Sequence, residues 1–197
     1  QALENGVTVN TCLESVSRLR AEGITAPIVL MGYVNPFLRY GLEAFVSDAA
    51  ACGTDGLIIP DMPSEEAGDL QSLCVAAGIH LIPLLAPTST EERIQSACAG
   101  AGGFIYCVSL TGVTGARGQM SGDVRELVTR IKAHSDLPVL VGFGVSNREH
   151  VADISNFADG AVFASAMLDS IGKSAPGTAA QVAAEFVHAL MDSATGD

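Results

Sequence analysis

Two strand-end segments hold the residues best suited to chemistry. Gly142-Phe143-Gly144-Val145-Ser146 and Ala164-Ser165-Ala166 each follow a short apolar run. Gly142 and Gly144 have no β-carbon, so a ligand can come close to the backbone. Backbone N–H groups after Ala164 could point at an anion, as helix starts do; small residues fitting a crowded rim would read the same way. A third segment, 112–118, holds three glycines, Thr114 and Arg117. It suits a lid that closes over substrate, and equally an ordinary exposed loop. Tyr33 and Tyr106 stand at the ends of apolar runs, where they could flank a planar ligand or fill the rim. Asp61 is a candidate acid or hydrogen-bond acceptor, or a turn aspartate ahead of Pro63.

Metal and thiol chemistry have less support. Cys12, Cys52, Cys74, Cys98 and Cys107 are widely spaced and form no C-x-x-C pair. They are expected to be small buried hydrophobes in a reducing cytoplasm. His80, His134, His150 and His188 are scattered without metal-site spacing, so no metal is expected.

Something must place those strand ends side by side. Apolar runs at 27–31, 56–59, 80–84, 103–108, 138–141 and 160–163 lack period-2 polarity, as strands buried on both faces do. Helical patterns lie around 36–52, 65–77, 90–99, 121–134 and 147–156. One more precedes the first strand, near 9–22, and one closes the chain, near 178–193. Capping boxes are expected at Ser89 with Glu92 and at Ser146 with Glu149, and a helix start at Ser64. Gly23, Gly53 and Gly78 mark helix ends. Strand starts recur about every 27 residues, which predicts a single α/β domain over 1–197 with a parallel sheet.

No dinucleotide or P-loop glycine motif is present, which speaks against a doubly wound sheet. The late glycine-rich strand ends favour a (β/α)₈ TIM barrel, whose phosphate site commonly uses its last two loops. Six units are visible in 197 residues, against eight units and about 250 residues for a barrel. The expectation is a barrel lacking its first two β-α units, with Gln1 a cut rather than a beginning. Hydrophobic residues make up 48% of the chain, ample for a core and incompatible with disorder. A net charge of −12 speaks against nucleic acid, and no apolar run is long enough to span a membrane.

These segments together resemble the tryptophan synthase alpha chain family. The resemblance runs from about Val7 to the C-terminal helix. It is carried by Met31-Gly32-Tyr33-Val34-Asn35-Pro36, by Asp61-Met62-Pro63-Ser64-Glu65-Glu66, by Tyr106 with Gly112-Val113-Thr114-Gly115, and by Gly142-Phe143-Gly144-Val145-Ser146. It implies a cytoplasmic lyase of tryptophan biosynthesis that splits indole-3-glycerol phosphate into indole and glyceraldehyde 3-phosphate by a retro-aldol step. It implies no cofactor on this chain, and a beta-chain partner in an α2β2 complex that holds pyridoxal phosphate. By position, Gly115, Gly144, Ala164 and Ser165 would bind the phosphate. Tyr33, Tyr106, Gly142 and Phe143 would line the substrate pocket. Thr114 would sit on the closing loop, and Asp61 and Pro63 near the beta-chain interface and active-site network. Ala164 replaces the family's usual glycine, and Leu110 stands where some members carry arginine.

The family's catalytic glutamate and aspartate belong to segments with no counterpart here. Among the strand ends Asp61 stands alone, so no catalytic residue is assigned and the 197-residue chain is expected to be inactive as a lyase. Two other readings compete: a non-catalytic module that binds the beta chain, and another phosphate-binding barrel enzyme such as an isomerase or epimerase.

Overall fold

The computed structural model describes residues 4–63, 65–108, 122–142 and 144–191. They fall into two compact units, one of 1–84 with 95–105 and the other of 85–94 with 106–197. The described elements are helices, short parallel strands and turns.

In the first unit α1 (Val9–Ala21) leads to β1 (Val29–Met31), α2 (Val34–Tyr40), α3 (Leu42–Ala51), β2 (Gly56–Ile58), α4 (Gly68–Ala77) and β3 (His80–Leu81). Thr8 and Thr11 cap α1 reciprocally, a signal that goes unread in the sequence because threonine replaces the usual acid at the fourth position. Strands β1, β2 and β3 pair in that order, with Val29 beside Gly56 and Gly56 beside His80. Phe45, Leu57, Leu70 and Cys74 are essentially sealed from solvent between the strands and helices. Phe37 and Phe45 stack with centroids 4.2 Å apart.

One side chain ties α1 to the beginnings of these strands. Arg20 donates to the carbonyls of Gly53 (2.9 Å), Ile24 (2.8 Å) and Ala26 (2.8 Å) and pairs with the Asp55 carboxylate. Asp55 in turn accepts the Ile28 N–H at 2.6 Å. So Asp55, the residue before β2, joins two neighbouring strands and α1.

The other unit holds α6 (Gly122–Lys132), β6 (Val139–Gly142), α7 (Arg148–Ser155), β7 (Gly160–Val162), α8 (Ser165–Gly172) and α9 (Ala179–Met191). Strands β4 (Leu84–Leu85), β5 (Ile105–Val108), β6 and β7 pair in that order. Val124, Leu127, Val128 and Ile131 of α6 are buried, as are Val139 and Val141 of β6. The clasp recurs here. Asp159, just before β7, accepts the Val139 N–H at 2.9 Å and pairs with Lys132 at 3.1 Å. The Val139 hydrogen bond, then Lys132, holds the Asp159 carboxyl below its ordinary range. Glu91, the first residue of α5 (Glu91–Gly100), meets His134 at 2.6 Å and Arg130 at 2.9 Å. Those two partners lower its pKa in the same sense.

All six apolar runs form strands, with one division. The run at 80–84 becomes β3 and β4, assigned to different sheets. Pro83 separates them and has no N–H to give a ladder. The helix expected over 36–52 is two helices, broken at Gly41, where φ is +95°. The helix expected from 65 begins at Gly68 with no side-chain cap, and Ser64 lies outside the described residues. The two expected serine caps each move by one residue. Thr90 accepts the Arg93 N–H, and Asn147 accepts the His150 N–H at 2.9 Å. Ser89 serves the preceding turn through the Ala86 N–H, and Ser146 faces the His150 ring. Gly23, Gly53 and Gly78 all have positive φ, as expected of helix ends. Cys74, Cys98 and Cys107 are buried free thiols, Cys52 is half-buried, and Cys12 is exposed, contrary to expectation. Cys12 sits in the first turn of α1, ahead of the buried Leu13 and Val16.

Candidate phosphate-binding site

A cavity of about 380 Å³ lies where the late strands of the second unit end, a volume suited to a small ligand. Each wall has a local cause. β6 ends at Gly142, and the chain then turns through Gly144 toward the start of α7. Gly144 has φ +47°, a left-handed conformation that residues with a β-carbon disfavour. At Gly142 the reason is space. A β-carbon there would lie 2.6 Å from Cζ of Tyr106, which reaches across from the neighbouring strand β5. Burial pushes the Tyr106 phenol up, so near neutral pH its O–H remains a hydrogen-bond donor.

The next wall is the junction of β7 and α8. Ala164 is the N-cap of α8 and has no side chain able to cap it. The first bond of the helix runs from the Leu168 N–H to the Ala164 carbonyl at 2.9 Å. The N–H groups of Ser165, Ala166 and Met167 therefore have no helical carbonyl to meet. Ser165 and Ala166 line the cavity, and the end of a helix dipole adds positive potential there. Val145, Val162 and Phe163 supply apolar wall, and Phe163 is backed by Phe186 of α9 at 5.7 Å. The arrangement can hold an anion at one end and an apolar group beside it.

The structure thus brings together Tyr106, Gly142, Gly144, Ala164 and Ser165. Thr114, Gly115 and Phe143, and Leu110 with them, lie outside the described residues. Tyr33 belongs to the first unit, precedes α2 and is 67% exposed. Asp61 accepts the N–H of Val34, the first residue of α2, at 2.9 Å. Its visible work is that of a turn aspartate serving a helix start. Pro63 is half-buried beside it.

Sequence reasoning missed α8, and with it Phe163 and Asp169 as lining residues. The available signal was the pair Met167 and Ile171, one turn apart, after the small residues Ala164 to Ala166. Among the described residues no group of three or more potential ligands could hold a metal ion.

The sequence profile described as "Tryptophan synthase alpha chain" matches residues 1–195. The chain belongs to the tryptophan synthase alpha chain family. It is 46% identical over 191 residues to the tryptophan synthase alpha chain of Chloroflexus aggregans, covering 97% of this chain and 72% of that one. To the alpha chain of Roseiflexus castenholzii it is 48% identical, with 96% and 73% covered. In structure it is similar to a chain of the tryptophan synthase α2β2 complex from the hyperthermophile Pyrococcus furiosus. That likeness has a TM-score of 0.88 and 35% identity, and covers 96% of this chain and 76% of that one. The parallel α/β fold is the one the tryptophan synthase alpha barrels have.

Proposed function

We propose that this chain serves the cleavage of indole-3-glycerol phosphate to indole and glyceraldehyde 3-phosphate, holding the phosphate at the start of α8. In that reaction the bond between indole C3 and the glycerol carbon breaks. Its electron pair stays with the indole ring, whose C3 takes a proton, while the glycerol hydroxyl loses a proton and becomes the aldehyde. The observation that carries the reading is the cavity in which Gly142, Gly144, Ala164 and Ser165 meet, in a chain of this family. Free N–H groups suit the phosphate, and Val145, Val162 and Phe163 suit the less polar remainder. Gly115 and Thr114 join the phosphate and lid groups in this reading, and Phe143 and Tyr33 the substrate wall. The reading gives the chain no cofactor. It places the chain in the cytoplasm with a pyridoxal phosphate-bearing beta chain as partner, which the likeness to a Pyrococcus furiosus α2β2 chain supports. Among the described residues no helix is long and apolar enough to cross a membrane.

The same reading extends to the 197-residue polypeptide on its own, which binds phosphate and turns over little. Asp61 is the first carboxylate after the C-terminal end of β2 in the first unit, and its Oδ1 is committed to Val34. An assay of indole release from indole-3-glycerol phosphate by this polypeptide should give only background. Turnover comparable to that of a curated family member would overturn the extension and leave the phosphate assignment standing. Chemical shift changes at Ser165, Ala166 and Gly144 on adding phosphate test the assignment itself.

A further inference from the structure

We propose that Asp169 limits how tightly this cavity holds a phosphate group. The proposal rests on the phosphate reading above. Asp169 lines the same cavity as Ser165 and Ala166. It lies four residues beyond Ser165, one turn further along the same face of α8. Its residue is exposed, and among the described residues no donor or cation engages its carboxylate. Among the described residues no ion pair joins Asp169 to Lys173, four residues further on at the end of α8, while Lys132 pairs with Asp159 and Arg130 with Glu91 and Ser89.

The charges then decide the sign. A helix N-terminus carries about half a positive charge, whereas Asp169 carries a full negative one. The fixed charge that the described residues bring to the cavity is therefore negative. A phosphate dianion is held there by directed hydrogen bonds from Ser165 and Ala166, against the local field rather than with it. A small phosphate with nothing else to bury binds weakly and leaves readily. A phosphate ester that also presents an apolar group gains contact with Val145, Val162 and Phe163. Asp169 thus weakens the hold on any phosphate group at this site, and the ester is retained by its contacts with Val145, Val162 and Phe163 while a small phosphorylated product leaves readily.

The test is titration of the full 197-residue chain with inorganic phosphate, read at the Ser165 and Ala166 amides by NMR. Wild type is compared with Asp169→Asn and Asp169→Ala at low and high salt. Both variants should bind phosphate about threefold to tenfold more tightly at low ionic strength. The gain should shrink toward nothing near 0.5 M sodium chloride, roughly, where surface charges are screened. If both variants bind as wild type does, or more weakly, the proposal is overturned and the phosphate site stands. If only Asp169→Asn gains, a new amide donor is responsible rather than a lost charge, and the proposal is also overturned. If no α8 amide responds in any of the three proteins, the phosphate assignment fails and takes this inference with it.

Discussion

At Gly142 one missing methyl group makes room for the Tyr106 ring. The two residues are far apart in sequence, and the pairing of β5 with β6 brings them together. In Gly142→Ala the new carbon would sit 2.6 Å from Tyr106 Cζ, so the ring, which lines the cavity, must shift. Overpacking of this kind costs about 1–3 kcal/mol. Phosphate affinity should fall by about tenfold, and the urea midpoint should drop accordingly. Unchanged affinity by titration calorimetry would show that the ring's placement is unimportant. The glycines stood out in the sequence, where close ligand approach and a crowded rim read alike, and at Gly142 the structure shows the crowding. The contact that requires Gly142 was not legible, since spacing alone does not say which strand neighbours which. Asp61 shows the converse: its type suggested chemistry, and the structure shows it serving the Val34 N–H.

Among the elements, strands were the most legible and caps the least. Each apolar run produced a strand, but the expected burial on both faces holds fully only for β2 among the described strands: β5 and β6 alternate buried with half-buried residues, β7 is half-buried, and Met31 of β1 is 59% exposed. A helix start depends on which of two adjacent polar side chains takes the free N–H. At Ser146 and Asn147, and again at Ser89 and Thr90, the later residue does. Helix α8 escaped notice because its cap is an alanine and it spans only 8 residues. The α1 clasp is the element-scale feature with the largest expected energetic effect. Arg20 is 23% exposed and makes three carbonyl bonds and one ion pair. Arg20→Ala leaves the Gly53 carbonyl and the Asp55 carboxylate short of partners. It should cost about 2–4 kcal/mol, with Arg20→Lys in between because an ammonium lacks the planar fork. Urea unfolding of the three proteins measures this. A loss below about 0.5 kcal/mol, the ordinary scatter of surface substitutions, would rule out the clasp.

For the whole molecule, two opposing charge effects set the response to pH. A net charge of −12 destabilises the compact state by self-repulsion near pH 7. Acidification toward the sequence pI of about 4.5 relieves it. Glu91 and Asp159 act in the other direction. Their folded pKa values lie below the ordinary 4.5 and 3.8, so their contribution is present above those values. It is lost as pH falls through the lowered ones. Stability should therefore rise modestly from pH 7 toward 5 and fall below about pH 4. Urea midpoints across that range measure it. In the double variant Glu91→Gln, Asp159→Asn the acid limb should be shallower. An equally steep limb would place the acid sensitivity elsewhere.

The Asp159 clasp and the α8 cavity stand at opposite ends of one short strand. Asp159 precedes β7, and Ala164 and Ser165 follow it. What anchors the strand is thus spatially separate from what faces the ligand. Substitutions at the Ser165 end can retune substrate preference while the anchor at the other end is untouched. In evolutionary terms the two properties can be selected independently, and a lineage can change what it binds without first relearning how to fold.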